Sequence, residues 1–532
     1  LQLSVVYLGH LGWTESLCPE CLKKIPAELY EENGKVMYRK KCPKHGVAED
    51  VYWGSYELYM KASRFAHEGK LVENPNVDVE EPTCPFDCGL CRMHLNHTAL
   101  GNIVLTNRCD LACWYCFFYA EKAGFVYEPS LQQIRAMFKA LRNVKPVPCN
   151  AVQLTGGEPA LREDLVEIIK MAKEEGIDHV QLNTDGIRLA LDRELALRVR
   201  DAGVNTVYLS FDGVTEKTNP KNHFEIPLVL NNCRRAGLGV VLVPTVINTV
   251  NDHEVGAIIR FASDNIDVVR GVNYQPVSLV GRIGRAERSR LRITIPDVIA
   301  RIEEQLNGEI SREDFYPVPC VSSITHFVEA LTKKPQYELS VHFACGMATY
   351  VVREGAKLIP ITRFIDVEGL FQYLEEKTRE LESGRSRTMV GLDLLFKIGR
   401  FIDRSKAPRG LKLSRILYNA FIKHDYAALA EFHYKTLFIG MMHFQDLYNY
   451  DVDRVRRCDI HYAVPDGRII PFCAFNVLPQ LYRDKIQREY GEPIKQWEKR
   501  VGRRLSDDLY RRDLGKLREL EAESMEKAVA KP

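Results

Sequence analysis

Short apolar runs alternate with amphipathic segments through the middle of the chain. Apolar residues cluster at 103–106, 152–156, 179–183, 206–211, 240–246 and 272–275, and helical periodicity fills intervals at 161–175, 193–201 and 254–263. Ser130 and Gln133 form a capping-box pattern that starts a further helix. Apolar runs followed by helices predict a parallel sheet. We therefore expect an α/β fold, a partial TIM-like (β/α)6 barrel.

Residues suited to chemistry follow the ends of these predicted strands, where barrel enzymes place their active sites. Taken singly, each polar residue also fits a turn or a helix cap. Their order on successive strands favours a joint site. In chain order they are Cys109, Cys113 and Cys116, then Gly156, Gly157, Glu158 and Pro159, then Asn183 and Asp185, then Ser210 and Asp212, then Thr245 and Val246.

The three cysteines after the first strand have the spacing C-x3-C-x2-C. Three thiolates at this spacing can hold three corners of a 4Fe–4S cluster, which normally takes four cysteines. The fourth iron is then open, and an open metal position is where chemistry occurs. A structural zinc knuckle is the alternative, but zinc prefers C-x2-C paired with a second such pair.

Over residues 100–280 the chain resembles the radical S-adenosylmethionine (SAM) superfamily. The resemblance implies that Cys109, Cys113 and Cys116 bind the cluster and that the open iron chelates SAM. Gly156 to Pro159 resemble the family's GGEP loop, which implies contact with the methionine amino group. By the same resemblance, Tyr115 lies beside the adenine. It also implies hydrogen bonds to the ribose and carboxylate of SAM from Asn183, Asp185, Ser210 and Asp212, and adenine contacts from Thr245 and Val246.

The remaining cysteines indicate further metal sites. The chain has 15 cysteines and shows no signal-peptide pattern, so a disulfide framework is not expected. Cys18, Cys21, Cys42 and His45 form a knuckle pair typical of a zinc ribbon or a rubredoxin. Sulfur-rich tetrahedral sites accept either metal, so one mononuclear iron or zinc is expected there.

Two further groups of cysteines predict auxiliary 4Fe–4S clusters. Cys84, Cys88 and Cys91 repeat the C-x3-C-x2-C spacing ahead of the first barrel strand, with a fourth ligand from His94 or from elsewhere in the chain. A second group is widely spaced after the barrel, and buried apolar cysteines are its alternative reading. Its members are Cys320, Cys345, Cys458 and Cys473.

Composition sets the domain organisation. A chain of 60.9 kDa is expected to hold an N-terminal metal-binding segment (1–98), the barrel (99–300) and an α-rich C-terminal region with auxiliary-cluster and substrate sites (301–532). The net charge of +2 gives no nucleic-acid signature. A basic amphipathic pattern at 384–423 fits either ordinary packing helices or contact with anionic lipid. We expect a cytoplasmic protein that associates peripherally with the inner face of the membrane.

The cysteine-rich start and the ending with Cys458, His461 and Cys473 resemble the archaeal tetraether lipid synthases. This resemblance implies carbon–carbon bond formation between isoprenoid chains of diether lipids. It also implies hydrogen abstraction by a 5′-deoxyadenosyl radical, trapping of the carbon on an auxiliary-cluster sulfur, peripheral membrane contact, and an electron donor of ferredoxin or flavodoxin type. A radical SAM methyltransferase acting on a pterin is the alternative. A pure electron-transfer protein fits less well, since it needs no GGEP loop.

Overall fold

The computed structural model describes residues 9–77, 79–116, 118, 120–280, 283–408 and 435–529. Residues 409–423 of the basic amphipathic segment therefore lie outside the described residues. Within those residues, no helix combines the length and the hydropathy that crossing a bilayer requires.

The N-terminal segment is an antiparallel meander of four strands in the order β1–β2–β3–β4. Tyr38, Tyr52 and Trp53 are buried beneath it. The turns after β1 and β3 lie at the same end of the meander, and each carries part of the predicted knuckle pair. The strands are β1 (His10–Leu17), β2 (Lys24–Glu32), β3 (Lys35–Cys42) and β4 (Gly46–Trp53).

One large sheet contains most of the remaining strands. They are β5 (Leu100–Thr106), β6 (Phe125–Val126), β7 (Ala151–Gly156), β8 (His179–Thr184), β9 (Thr206–Ser210), β10 (Gly239–Val243), β11 (Thr245–Val246), β12 (Val269–Pro276), β13 (Tyr316–Pro317), β14 (Gly346–Glu354), β15 (Lys357–Pro360), β16 (Thr436–Met442), β17 (Ile460–Ala463), β18 (Ile469–Pro471) and β19 (Glu492–Pro493). Of these, β6 and β19 form a separate antiparallel pair.

The six predicted strands are parallel neighbours in chain order, β5–β7–β8–β9–β10–β12. The sheet continues past them on both sides, because β16 pairs in parallel with β12 and β17 with β5. An α/β fold with a cysteine-rich N-terminal region is therefore present. The sheet path extends beyond the six strands, and the region after residue 300 contributes strands as well as helices.

Helices follow the barrel strands largely where periodicity predicts them. Ser130 and Gln133 form the predicted capping box, with Gln133 N donating to Ser130 Oγ at 3.2 Å. The helices are Tyr56–Ser63, Ala120–Ala123, Leu131–Arg142, Leu165–Glu174, Ile187–Leu191, Leu195–Ala202, Ile226–Ala236, Val255–Asp264, Arg288–Leu291, Ile295–Gln305, Ser322–Thr332, Val367–Glu382, Arg387–Lys397, Val452–Arg456, Phe472–Val477, Arg483–Glu489, Ile494–Val501 and Leu514–Val529.

Candidate active site and metal centres

The loop that carries Cys109, Cys113 and Cys116 begins where β5 ends. Arg108, which is 4% exposed, fixes the start of this loop. Its guanidinium donates to Glu128 at 2.8 Å and to Asp508 at 2.7 Å. Both carboxylates come from outside the loop, so a buried ion pair between distant segments positions the first cysteine.

The Cys109 and Cys113 thiols are poorly solvated and have acidic side chains near them. Burial raises the pKa of the Cys113 thiol to about 11. Burial, followed by the negative charges of Asp185 and Asp110, raises the pKa of Cys109 well above its ordinary value. Ligand atoms of Cys109, Asp110 and Asp185 lie within 4.8 Å of one another. Positive charge at this point would lower these pKa values, so the donor set fits an iron–sulfur cluster together with a cationic ligand.

The two glycines of the GGEP loop pack directly against the cysteine loop. A Cβ atom at Gly156 would lie 2.1 Å from the carbonyl oxygen of Thr106, and one at Gly157 would lie 2.0 Å from that of Arg108. Gly157 N donates to Thr106 O at 2.8 Å. The absence of a Cβ at these two positions therefore lets the backbone of the GGEP loop contact the backbone of the cysteine loop. The resemblance to the family does not by itself give this reason for the two glycines.

The Glu158 carboxylate braces the next strand. It accepts hydrogen bonds from Thr184 Oγ1 at 2.9 Å and from Asp185 N at 2.8 Å. Burial, followed by the charge of Asp110, raises its pKa to about 7. Pro159 is buried and begins a short 3₁₀ turn. These two residues hold the loop in place, and neither lines the main cavity.

Tyr115, Ser210 and Asp212 meet at Lys221, which sequence reasoning did not identify. Lys221 Nζ lies 2.7 Å from Asp212 Oδ2 and 3.0 Å from the Tyr115 hydroxyl, and it also donates to Ser210 Oγ. Asp212 Oδ1 accepts from Thr245 N at 3.0 Å. One buried lysine thus joins the cysteine loop to the end of β9 and, through Asp212, to the start of β11.

The other predicted SAM contacts divide into two groups. Asn183 and Thr245 line the cavity beside Tyr115 and Cys116. Asp185 caps the helix that follows it through Ile187 N, and its Oδ2 has no partner within the described chain. Val246 is 1% exposed and belongs to the apolar core away from the cavity.

A cavity of about 500 Å³ runs inside the barrel from the cysteine loop toward the starts of the strands. A row of hydrogen-bonded side-chain amides runs along its wall from strand to strand. Gln181 donates to Gln153 at 2.8 Å, Gln153 to Asn102 at 3.1 Å, and Asn102 to the His461 carbonyl at 3.2 Å. Further along the wall, the cavity is also lined by Asn273, Gln275, Tyr337, Phe438, Met441, Met442, Phe444, Asp459, Tyr462 and Phe472.

This polar lining has a sequence signature that apolar clustering overlooks. Parallel strands covered on both faces usually read as continuous apolar runs. Here Gln153 and Thr155 alternate with apolar residues on β7, and Gln181 and Asn183 do so on β8. The period of two turns these polar side chains toward the barrel interior.

The N-terminal knuckles form a compact four-ligand group. Ligand atoms of Cys18, Cys21, Cys42 and His45 all lie within 4.8 Å of one another. The Cys21 and Cys42 sulfurs are 3.9 Å apart, and His45 Nδ1 lies 3.4 Å from the Cys18 sulfur. A tetrahedral ion with metal–sulfur bonds of about 2.3 Å requires ligand separations of about 3.8 Å. Backbone N–H groups of residues 44 and 45 lower the pKa of Cys42 to about 6, which favours the ligating thiolate.

Cys84, Cys88 and Cys91 line a small cavity that His94 also faces. His94 Nε2 lies 2.7 Å from the Cys458 carbonyl oxygen. The Cys84 thiol, through hydrogen bonding, is the first cause of the raised pKa of Cys88. The second C-x3-C-x2-C run is therefore gathered at one place, separate from the loop after β5.

Three members of the last predicted group interact with one another. Burial, and then the charges of neighbouring thiolates among Cys345, Cys458 and Cys473, raise the pKa values of Cys458 and Cys473. Arg454 Nε donates to the Cys345 sulfur at 3.3 Å. For Cys320, burial raises the pKa of the thiol to about 12.

Comparison with known proteins places the chain in a class. Residues 103–262 match the Radical SAM superfamily, and residues 10–54 match the HMPTM N-terminal zinc ribbon domain. The chain is a radical SAM protein, which implies SAM and a 4Fe–4S cluster as cofactors, and its N-terminal site is consistent with a mononuclear metal.

Over 496 residues the chain is 48% identical to the 7,8-dihydro-6-hydroxymethylpterin dimethyltransferase of Methanocaldococcus jannaschii, covering 91% of this chain and 97% of that protein. The chain belongs to the family of that protein. It is also 28% identical over 224 residues to the GTP 3′,8-cyclase of Aquifex aeolicus, covering 41% of this chain and 66% of that protein.

Solved structures resemble this chain only distantly. Methylornithine synthase (PylB) is 16% identical, covers 40% of this chain and 64% of its own, and has a TM-score of 0.31. The AdoMet-bound anSMEcpe is 14% identical, covers 44% and 68%, and has a TM-score of 0.32. These values are too low to support a functional argument.

The comparisons contradict the predicted lipid activity. The relative that matches nearly the whole chain is named as a pterin dimethyltransferase, so the tetraether lipid synthase assignment is corrected, together with the diether-lipid substrates and the membrane contact. The physical reason is that cysteine spacing specifies metal sites and says nothing about the substrate. Radical SAM chemistry, iron–sulfur binding and a transferase class remain supported.

Proposed function

We propose that this chain is a radical SAM methyltransferase that acts on a 6-hydroxymethyl-7,8-dihydropterin. The observation that carries the proposal is the single cavity that joins Tyr115 and Cys116 to the amide-lined barrel interior. A flat heterocycle rich in nitrogen and oxygen matches such a wall, and ligand cavities of this class measure about 300–1,000 Å³. The substrate of the relative from Methanocaldococcus jannaschii supports the choice of a pterin.

The net change would replace a hydrogen on a pterin carbon by a methyl group. One SAM, held at the reduced cluster, would supply a 5′-deoxyadenosyl radical, which suits carbon atoms that acid–base chemistry cannot activate. That SAM would end as methionine and as 5′-deoxyadenosine carrying the pterin hydrogen, and a second SAM would donate the methyl group and leave as S-adenosylhomocysteine. Each methylation would then take two electrons from the external donor, which balances atoms and charge. The chain's own part is to orient both molecules and exclude water.

In this proposal Cys109, Cys113 and Cys116 hold the cluster. The Lys221 network positions Tyr115 against SAM, and Asn183 and Thr245 contact it from the cavity wall. The remaining cysteine groups hold auxiliary clusters that exchange electrons with an external donor, one at Cys84, Cys88 and Cys91 and another at Cys345, Cys458 and Cys473.

The test is an anaerobic incubation of the iron-reconstituted protein with methyl-labelled SAM, a strong reductant and the dihydropterin. Mass spectrometry should show labelled methyl groups on the pterin. Cys113→Ala should abolish the product. Cys149→Ala is the matched control, because this buried cysteine lies outside all four metal groups, and it should retain the activity.

A parallel incubation with an archaeal diether lipid makes the test decisive. Coupled lipid chains with an unlabelled pterin would overturn the proposal. Absence of S-adenosylhomocysteine and of 5′-deoxyadenosine under every condition would overturn the use of SAM in the reaction.

A further inference from the structure

Asp459 is a buried carboxyl group that the proposed chemistry does not yet use. It precedes β17, lines the cavity, and is 2% exposed. Its backbone carbonyl accepts hydrogen bonds from Ala99 N at 2.7 Å and from Leu100 N at 3.1 Å, which fixes it against the start of β5. Its Oδ2 has no hydrogen-bond partner among the described residues.

The surrounding side chains leave Oδ2 of this carboxyl group without a hydrogen bond. The neighbouring Tyr337 hydroxyl donates to the carbonyl oxygen of Ala99 instead. The amides of Asn102 and Gln153 are used in the row of amides along the cavity wall. A buried acceptor without a donor is costly, and a ligand in the cavity can supply that donor.

A pterin offers the matching donors. Its 2-amino group and its N3–H point in the same direction from one edge of the pyrimidine ring. Two parallel N–H donors complement the two oxygens of a carboxylate, as they do in arginine–carboxylate pairs. Resting on the proposed function, we propose that Asp459 is the specificity-determining residue that binds the amino and N3–H edge of the pterin.

The position of Asp459 also sets the orientation of the ring. Ile460 pairs with Leu100 at the start of β5, whereas the cysteine loop follows Thr106 at its other end. Six residues of strand separate these two levels by about 20 Å. A pterin held at Asp459 by its pyrimidine edge therefore directs its other ring and its hydroxymethyl group toward the loop with Cys109, Cys113 and Cys116.

Aromatic rings line the same cavity. Phe444 and Phe472 stack with ring centroids 3.8 Å apart, and Tyr462 stacks on Phe472 at 5.3 Å. Stacked rings present flat apolar faces on which a planar heterocycle can lie. In this arrangement the Asp459 carboxylate hydrogen-bonds to the edge of the pterin, and the aromatic rings stack on its flat face.

The test compares two ligands on the full-length, iron-reconstituted protein: 6-hydroxymethyl-7,8-dihydropterin and the corresponding lumazine, in which a carbonyl replaces the 2-amino group. The parent protein should bind the pterin about 10- to 100-fold more tightly, because the lumazine places an acceptor against a carboxylate. Asp459→Asn should reduce or invert this ratio, because its amide offers one acceptor and one donor, which match the lumazine edge.

Asp314→Asn is the matched control. Asp314 is a buried carboxyl outside the cavity wall, and its Oδ2 accepts a hydrogen bond from Arg363 Nη2 at 2.7 Å. This variant should keep the parental ratio.

Failure of the inference is distinguishable from failure of the proposed function. If the parent protein does not bind the dihydropterin, the proposed function fails. If the parent binds pterin and lumazine equally, or if Asp459→Asn keeps the parental ratio, the role of Asp459 is overturned while the pterin substrate stands. The ratio of pterin to lumazine affinity is measured on the parent protein and needs no variant. It therefore tests the role of Asp459 even where Asp459→Asn does not fold.

Discussion

Lys221→Met should destabilise the protein by removing one partner of a buried ion pair. Its ammonium lies 2.7 Å from Asp212 Oδ2, and the two side chains are 8% and 7% exposed, so solvent screens the pair weakly. Removing one partner of such a pair typically costs about 3–5 kcal/mol. Asp212 keeps the Tyr115 hydroxyl and Thr245 N as donors, so we expect about 3 kcal/mol, the lower end of that range.

The assay is the melting temperature of the reconstituted protein. For 532 residues the unfolding entropy is about 1.1 kcal/mol/K, so a loss of about 3 kcal/mol corresponds to about 3 °C. The double variant Lys221→Met with Asp212→Asn removes both charges and should recover much of this loss. An unchanged melting temperature in Lys221→Met, or a double variant less stable than the single one, would refute this account of the network.

Three further predictions concern other parts of the molecule. Gly157→Ala should prevent normal iron loading of the cysteine loop, because the added Cβ would overlap a carbonyl oxygen of that loop. Iron analysis should show the loss. Gly284→Ala is the control and should load iron normally, because there is open space around the position of its Cβ. Cys21→Ala should remove one equivalent of iron or zinc per chain by elemental analysis while the visible absorption of the clusters remains; an unchanged metal content would exclude the site. The hydrogen bond that His326 donates to Glu338 raises the pKa of His326. The stability that this pair contributes is therefore present at acidic pH and is lost as pH rises through the folded-state pKa above 6.5. Glu338→Gln should abolish this pH dependence in melting curves, and a pH profile parallel to that of the parent protein would contradict it.

The superfamily could be predicted because its signals are local. Cys109, Cys113 and Cys116 occupy one loop, and Gly156 and Gly157 occupy the next, so spacing and order along the chain suffice. The same applies to the N-terminal knuckles, which match a zinc ribbon domain. Local periodicity likewise located the six barrel strands and most of their helices.

The substrate was predicted wrongly because the features used for it describe metal sites. The ending with Cys458 and Cys473 suggested a lipid enzyme, but those cysteines do not form the amide-lined wall. Alternating polar residues on β7 and β8 were present in the sequence and pointed to a polar interior. They were overlooked because the strands were identified by their apolar members.

The sequence by itself determined the elements, the cysteine groups and the cofactor class, since each depends on residues close together in the chain. The tertiary structure decided the cavity wall, the Lys221 network and the position of Asp459. These depend on pairings such as Asn102 with His461, which are 359 positions apart. Short strands such as β17 carry too little local pattern to specify a distant partner, so only the packed fold defines the site they complete.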